Sequence, residues 1–175
     1  MKRTLEVLNE LEREGVFTRY AIGGAMAATF YTEPVLTFDL DVFVVRFPNC
    51  SGAVSALSYN GSAVTDRRYN EGLRARGYRE ENECVLIEGV PVQFLPAYNA
   101  LVEEALNEAQ EIMYEDMRTR VLRSEHLVAI CLQTGRSKDR ERVRILREQA
   151  RLDLDFLASL LKRHQLEDKW KLWTE

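Results

Sequence analysis

The stretch from Thr18 to Val45 constrains this chain more than any other. Thr18–Ile22 reads as a short strand, Gly23-Gly24 as a turn, and Ala25–Tyr31 as a run of helix formers closed by Pro34. Asp39–Val45 then reads as a second strand, in which Leu40, Val42 and Val44 alternate with Asp41, Phe43 and Val45. Residues two apart on a strand share a face, so Asp39 and Asp41 set two carboxylates side by side. Such a pair repels and is stable only when solvated or bridged by a cation. Oxygen ligands of this kind suit Mg²⁺, which takes a couple of carboxylates together with phosphate oxygens. The upstream glycines let backbone approach phosphate oxygens, and free N–H groups at a helix start bind anions. Alone, the Asp pair fits a solvated strand face and Gly-Gly fits a plain turn; their conjunction points to a metal–phosphate site.

The rest of the chain supplies a mixed sheet around that stretch. Leu5, Leu8 and Leu11, with Val7, predict an amphipathic helix over Arg3–Glu14, ended by Gly15. Pro48–Thr65 is rich in serine, glycine and asparagine and reads as a loop with a short helix at Ala53–Leu57. Asp66–Arg76 reads as a helix closed by Gly77. Cys84–Ile87 and Val92–Leu95 form a hairpin around Glu88-Gly89-Val90-Pro91. Tyr98–Glu108 is helical, and Ile112–Tyr114 and Thr119–Leu122 make a further strand pair. Beyond Ser124 the pattern is helical throughout: His126–Gln133 capped by Ser124 and followed by Gly135, then Lys138–Gln149, Asp153–Arg163 and a shorter segment ending near Trp173. The expected organisation is one compact unit, with residues 1–123 as an α/β core and 124–175 as a helical segment packed on it.

Length and composition limit what such a unit can be. The chain has 175 residues, 46% of them hydrophobic and 30% charged, which is enough to bury a core and unlike a disordered chain. No apolar run approaches the roughly 18 residues a spanning helix needs. The basic start Met1-Lys2-Arg3 has no apolar stretch after it, so a cytoplasmic protein is expected. Cys50, Cys84 and Cys131 are odd in number and far apart, which suits reduced thiols. A net charge of −4 argues against a broad nucleic-acid surface, yet Arg136, Lys138, Arg140, Arg142, Arg144, Arg147 and Arg151 leave room for a local anion site.

With these motifs in hand, the sequence resembles the nucleotidyltransferase superfamily of polymerase-beta-like fold, and within it the AbiEii-like and minimal nucleotidyltransferases. The resemblance is carried by Gly23-Gly24, by Thr37-x-Asp39-x-Asp41 and by Arg136-Ser137-Lys138-Asp139-Arg140-Glu141. It implies a mixed sheet flanked by helices. It also implies that Gly23 and Gly24 hold nucleotide phosphates and that Asp39 and Asp41 ligate Mg²⁺, with Mn²⁺ as the alternative ion. Thr37 would steady the phosphate loop or the first carboxylate, and Lys138 with Arg136 would meet the triphosphate. The implied reaction is attack of an acceptor hydroxyl, on an RNA end or a protein side chain, on the α-phosphate of an NTP. Several such relatives are toxins, which implies an antitoxin-type partner.

The third carboxylate that the family carries on a neighbouring strand falls at Gln93 in this chain. A glutamine carbonyl ligates a metal weakly and cannot act as a general base. Three readings follow. Gln93 faces the site and binds by hydrogen bonds; or Glu83 or Glu88 supplies the charge; or the domain binds nucleotide or a partner without catalysing. Val35 is a second departure, since relatives often carry arginine there. His126, His164 and the Trp170-Leu172-Trp173 group read as capping or packing residues.

Overall fold

The computed structural model describes residues 1–34, 36–45, 67–81 and 83–175. The readings at Val35, at Cys50 and across Pro48–Thr65 lie outside these residues. Eight helices and seven strands are described: α1 (Lys2–Arg13), β1 (Arg19–Ile22), α2 (Gly24–Ala28), β2 (Leu40–Val45), α3 (Arg67–Ala75), β3 (Glu80–Glu81), β4 (Cys84–Ile87), β5 (Val90–Pro96), α4 (Ala100–Asn107), β6 (Gln110–Tyr114), β7 (Met117–Val121), α5 (Ser124–Thr134), α6 (Ser137–Gln149), α7 (Leu154–Arg163) and α8 (Glu167–Thr174). The strands form one mixed sheet in the order β3-β4-β5-β2-β1-β7-β6. This is the mixed sheet flanked by helices that the resemblance implied.

Four antiparallel and two parallel pairings build the sheet among the described residues. β1 and β2 are antiparallel neighbours, while β2 runs parallel to β5 and β1 parallel to β7. The β4–β5 turn is tighter than the sequence suggested: Ile87 pairs with Val90, leaving only Glu88 (φ 51°) and Gly89 (φ 82°) in the loop. Two positive φ values in a two-residue loop match the right-handed twist of the flanking strands. α1 covers one face of the sheet with Leu5, Leu8 and Leu11, each fully buried and each contributing about 2 kcal/mol. It is pinned there by the Tyr20 hydroxyl, which donates to Asn9 Oδ1 at 2.7 Å.

α5 is the central helix of the opposite layer. Every residue from Ser124 to Leu132 is buried, as expected of a helix enclosed by others, and α2, α4, α6 and α7 all pack on it. Ser124 therefore sits inside the first turn; Arg123 holds the cap position, with no side-chain cap bond, which corrects the expected Ser124 cap. Gly135 closes the helix in the left-handed conformation, φ 74°, as expected. α2 stops at Ala28, short of Tyr31, because the hydroxyls of Thr29 and Thr32 bond to the Met26 and Ala28 carbonyls and favour a turn. Trp170 and Trp173 pack against the body, whereas Leu172 is 69% exposed and does not join them.

Candidate functional site

The sheet, α2, α5 and the first half of α6 surround a cavity of about 900 Å³. Gly24, Thr37, Asp39, Asp41, Gln93, Arg136 and Lys138 all line it. Segments separated by more than a hundred residues in sequence thus bring nearly every candidate to one space. Gly23 is the exception among the described lining.

The strand register explains the arrangement on the sheet side. Asp41 is the direct partner of Gln93 across the parallel β2–β5 ladder, so the two side chains stand next to each other on one face. The strand position beside Asp41 is therefore occupied by an amide. Asp39 lies just before β2, and the Thr37 hydroxyl donates to its Oδ1 at 3.0 Å and to its carbonyl at 3.2 Å. Of the two roles expected for Thr37, this geometry matches the steadying of the first carboxylate.

The two glycines differ in what they do. Gly24 has φ +59°, and a Cβ there would lie 1.6 Å from Asp41 Oδ2. Only glycine lets the start of α2 sit directly against the Asp41 carboxylate. Gly23 donates its N–H to the Asp41 carbonyl at 2.9 Å, and a Cβ on it would strike the Phe43 ring at 2.2 Å. Its N–H is spent on the backbone and its missing side chain makes room for Phe43, so it shapes the turn from outside the cavity.

Charge is distributed unevenly over the walls. Asp41 is half-buried and its carboxyl is pushed up to about 6, first by burial and then by the charge of Asp39. Arg142, Lys138 and Arg136, in that order, pull it back. Asp139, on the facing wall, is fully buried. Burial acts to raise its carboxyl too, but hydrogen bonds from Arg136 and Thr134 prevail and hold it below the usual carboxylate range. Asp139 accepts Arg136 Nε at 2.7 Å, Arg136 Nη2 at 3.1 Å, the Arg136 backbone N–H at 3.1 Å and the Thr134 hydroxyl at 2.6 Å. Lys138 is not among the partners of Asp139. Asp139, in the first turn of α6, bonds back to Arg136 at the N-cap, while Lys138 is exposed and makes no ion pair among the described residues.

A hard divalent ion fits the sheet side. Two adjacent carboxylates, one with its proton affinity raised by its neighbour, are what a cation relieves. Among the described residues no three His, Cys, Asp or Glu side chains cluster as a ligand set. An ion at Asp39 and Asp41 would complete its shell from other oxygens, as Mg²⁺ commonly does.

Several lining residues were not singled out as site candidates. Arg142 follows Lys138 by one helical turn, a spacing visible in the sequence once α6 is recognised. Tyr98, Asn99 and Gln133 form a neutral polar wall, with Asn99 Nδ2 donating to Gln133 Oε1 at 2.6 Å. Of the two glutamates weighed as substitutes, Glu83 lines the cavity from a left-handed turn, φ 67°. Glu88 does not line it and accepts the Tyr78 hydroxyl at 2.7 Å. His126 is fully buried against Phe156, and burial pushes it down to about 4. It is a packing residue rather than a cap.

Comparison with known proteins agrees with the fold. A family model described as "Nucleotidyl transferase of unknown function (DUF2204)" matches residues 1–170. No curated protein sequence matches the chain. Among solved structures the chain is similar to ANT(2'')-Ia in complex with adenylyl-2''-tobramycin, with TM-score 0.52, 15% identity and coverage of 96% of this chain and 95% of that one. It is also similar to the solution structure of the antibiotic-resistance factor ANT(2'')-Ia, with TM-score 0.52, 14% identity and coverage of 98% and 96%. At this identity the likeness speaks for the fold.

Proposed function

The chain belongs to this family of nucleotidyl transferases, and from that premise we propose that it transfers a nucleotide from an NTP to a hydroxyl acceptor, with the donor bound in the cavity between β2 and α6. The observation that carries the reading is the opposition of charge across one space. Asp39 and Asp41 lie on the sheet side, and Lys138 and Arg142 lie on α6. A polyphosphate with a divalent ion is the ligand that satisfies both walls at once.

In this reading Asp39 and Asp41 hold Mg²⁺, which when bound supplies charge neutralisation at the reacting and leaving phosphate oxygens. Thr37 fixes the rotamer of Asp39. Gly24 allows backbone to stand against Asp41 and the phosphates, and Gly23 supports that turn through Phe43. Lys138 contributes a mobile point charge to the phosphate tail. The acceptor oxygen forms a bond to the α-phosphorus as the bond to the pyrophosphate oxygen breaks, and the acceptor proton leaves to solvent or to a carboxylate at the site. Gln93 orients the acceptor or the donor by hydrogen bonds, since an amide takes no proton.

An RNA end and a protein hydroxyl are the acceptors implied by the resemblance. The ANT(2'')-Ia structure carries adenylyl-2''-tobramycin, which adds a hydroxylated small molecule to those worth testing. A toxin role, an antitoxin-type partner and a cytoplasmic setting extend the same proposal. Among the described residues no helix is long and apolar enough to cross a membrane. A second reading rests on Gln93: a domain that binds nucleotide or a partner and does not catalyse.

Calorimetric titration with each NTP, with and without Mg²⁺, tests the donor site. Mg²⁺-dependent binding that is lost in the Asp39→Asn/Asp41→Asn double variant is the expected result, and no binding to any NTP would sink the reading. Pyrophosphate release with tobramycin, RNA and protein acceptors then separates the two readings. Release supports transfer. Tight binding with no release from any acceptor, recovered in Gln93→Glu, supports the binding-only form.

A further inference from the structure

The three cations that line this wall of the cavity, Arg136 at the start of α6 and Lys138 and Arg142 within it, are not equally available to a ligand. Arg136 gives one edge of its guanidinium to Asp139, through Nε at 2.7 Å and Nη2 at 3.1 Å. A ligand taking that two-point edge would have to displace Asp139. The Arg136 backbone N–H bonds the same carboxylate, Oδ2 at 3.1 Å, which ties the residue to the start of α6.

Arg142 is held differently. Its Nη1 lies 3.6 Å from Asp139 Oδ1, beyond hydrogen-bond reach. Burial pushes the thiol of the cavity-lining Cys131 on α5 up, and the nearby Arg142 guanidinium pulls it back. A guanidinium has five donors, and one ion pair at 3.6 Å leaves most of the fork unsatisfied among the described residues. The side chain is 17% exposed, so water compensates it less than it would a surface arginine. Lys138, Arg142 and Ile145 follow at helical spacing, and all three line the cavity. Arg142 thus stands one turn deeper than Lys138 on the same face, tethered by one loose ion pair.

We propose that Arg142, and not Arg136, is the guanidinium that grips the polyphosphate of the donor, with Lys138 beside it and Arg136 serving as the cap of α6. The proposal rests on the reading of the cavity as an NTP site. It divides labour along this wall: Asp139 pairs Arg136 at two points, restrains Arg142 loosely, and leaves the Arg142 fork open toward the phosphates. Polyphosphate oxygens offer the two-point partner that Asp139 withholds from it.

The test is titration of the full-length chain with inorganic tripolyphosphate and with ATP, both with Mg²⁺, in the wild type, Arg136→Gln, Arg142→Gln and Arg142→Lys, with melting temperatures recorded alongside. Arg142→Gln is expected to weaken both probes by about tenfold or more, and Arg142→Lys by about threefold. Arg136→Gln is expected to lower the melting temperature while changing affinity by less than about threefold. Wild-type affinity in folded Arg142→Gln, or a larger loss in Arg136→Gln, overturns the proposal and leaves the NTP reading standing. If Arg142→Gln does not fold, Arg142→Lys decides: weakened binding supports the proposal and unchanged binding overturns it. Wild type that binds neither tripolyphosphate nor ATP brings down the NTP reading and this proposal together.

Discussion

Asp41 and Asp139 face the same cavity from opposite walls, and the protein treats them in opposite ways. Both are withdrawn from water. Asp139 collects a two-point arginine pair, a threonine hydroxyl and a backbone N–H, and its carboxyl is held below the ordinary value. Asp41 stands beside another carboxylate and an amide, receives only the more distant field of α6, and is pushed up to about 6. A carboxylate whose needs are met by its own chain is part of the fold. One left wanting positive charge beside an open cavity is arranged for a ligand. The contrast predicts that removing the two charges changes stability with opposite signs.

The largest effect is expected at Asp139. Asp139→Ala leaves Arg136 and Arg142 without their anion at a fully buried position, and breaking one side of such a pair costs about 3–5 kcal/mol. Urea denaturation at pH 7 measures it; a loss under about 1 kcal/mol would remove Asp139 from the fold's supports. Because its folded carboxyl lies below the unfolded one, its contribution is present above the unfolded value near 4 and is lost as pH falls through the depressed folded value.

Asp41 gives the reverse sign. Its folded carboxyl keeps a proton up to about 6, against an ordinary value of 3.8, so between these the folded state binds more protons than the unfolded. Stability from this group is therefore present at low pH and falls as pH rises through that window, by about 3 kcal/mol at most. Asp41→Asn is expected to be more stable than wild type above pH 7 by up to about 3 kcal/mol, and equal to it below about pH 4. Mg²⁺ should stabilise the wild type and leave the variant unmoved. A variant no more stable than wild type at pH 8 would mean that Asp41 is already neutralised, and the contrast with Asp139 would collapse.

Gly24 sharpens the comparison because it guards Asp41. Gly24→Ala adds left-handed strain of about 1–2 kcal/mol, and its new Cβ displaces the Asp41 carboxylate, so both stability and Mg²⁺–NTP binding should fall. Gly23→Ala meets only the Phe43 ring and Leu122, so it should cost stability with a smaller effect on affinity once folded. Equal losses of affinity in the two variants would show that the turn acts as a whole, without the division its contacts suggest.

How much of this was readable beforehand follows from range. The pleat placed Asp39 and Asp41 on one side of a strand, and β-branched alternation marked β2 to within a residue, because both are local consequences of a period of two. The family pattern pointed to Gln93, and the β2–β5 register sets it beside Asp41. The short β3 carries too few residues for a pattern, and the parallel β1–β7 pairing joins segments about a hundred residues apart with no turn to announce it. Asp139 stands next to Lys138 in sequence and is not paired with it. Its true partners, Arg136 and Thr134, lie within five residues, but capping geometry selected them and sequence adjacency did not. Arg142 was hidden for a simpler reason: among seven basic residues between 136 and 151, only the packed face of α6 tells which ones line the cavity.

The smallest expected effect concerns Thr37, and it tests whether the sheet side is prepared for its ligand before the ligand arrives. Thr37 Oγ1 bonds the Asp39 carboxylate at 3.0 Å and the Asp39 carbonyl at 3.2 Å, holding one rotamer of the outer acid of the pair. Thr37→Val keeps the shape and removes the donor, so stability should fall by only about 0.5–1 kcal/mol. The loss should appear instead in affinity, because a free Asp39 must be ordered at the moment of binding: Mg²⁺–NTP binding should weaken by about threefold to fivefold. Thr37→Ser retains the hydroxyl and should bind as wild type. If Thr37→Val binds equally well, Asp39 is positioned by the backbone of β2 alone. The sheet side would then need no preparation beyond the strand itself, in contrast to the elaborately bonded Asp139 across the cavity.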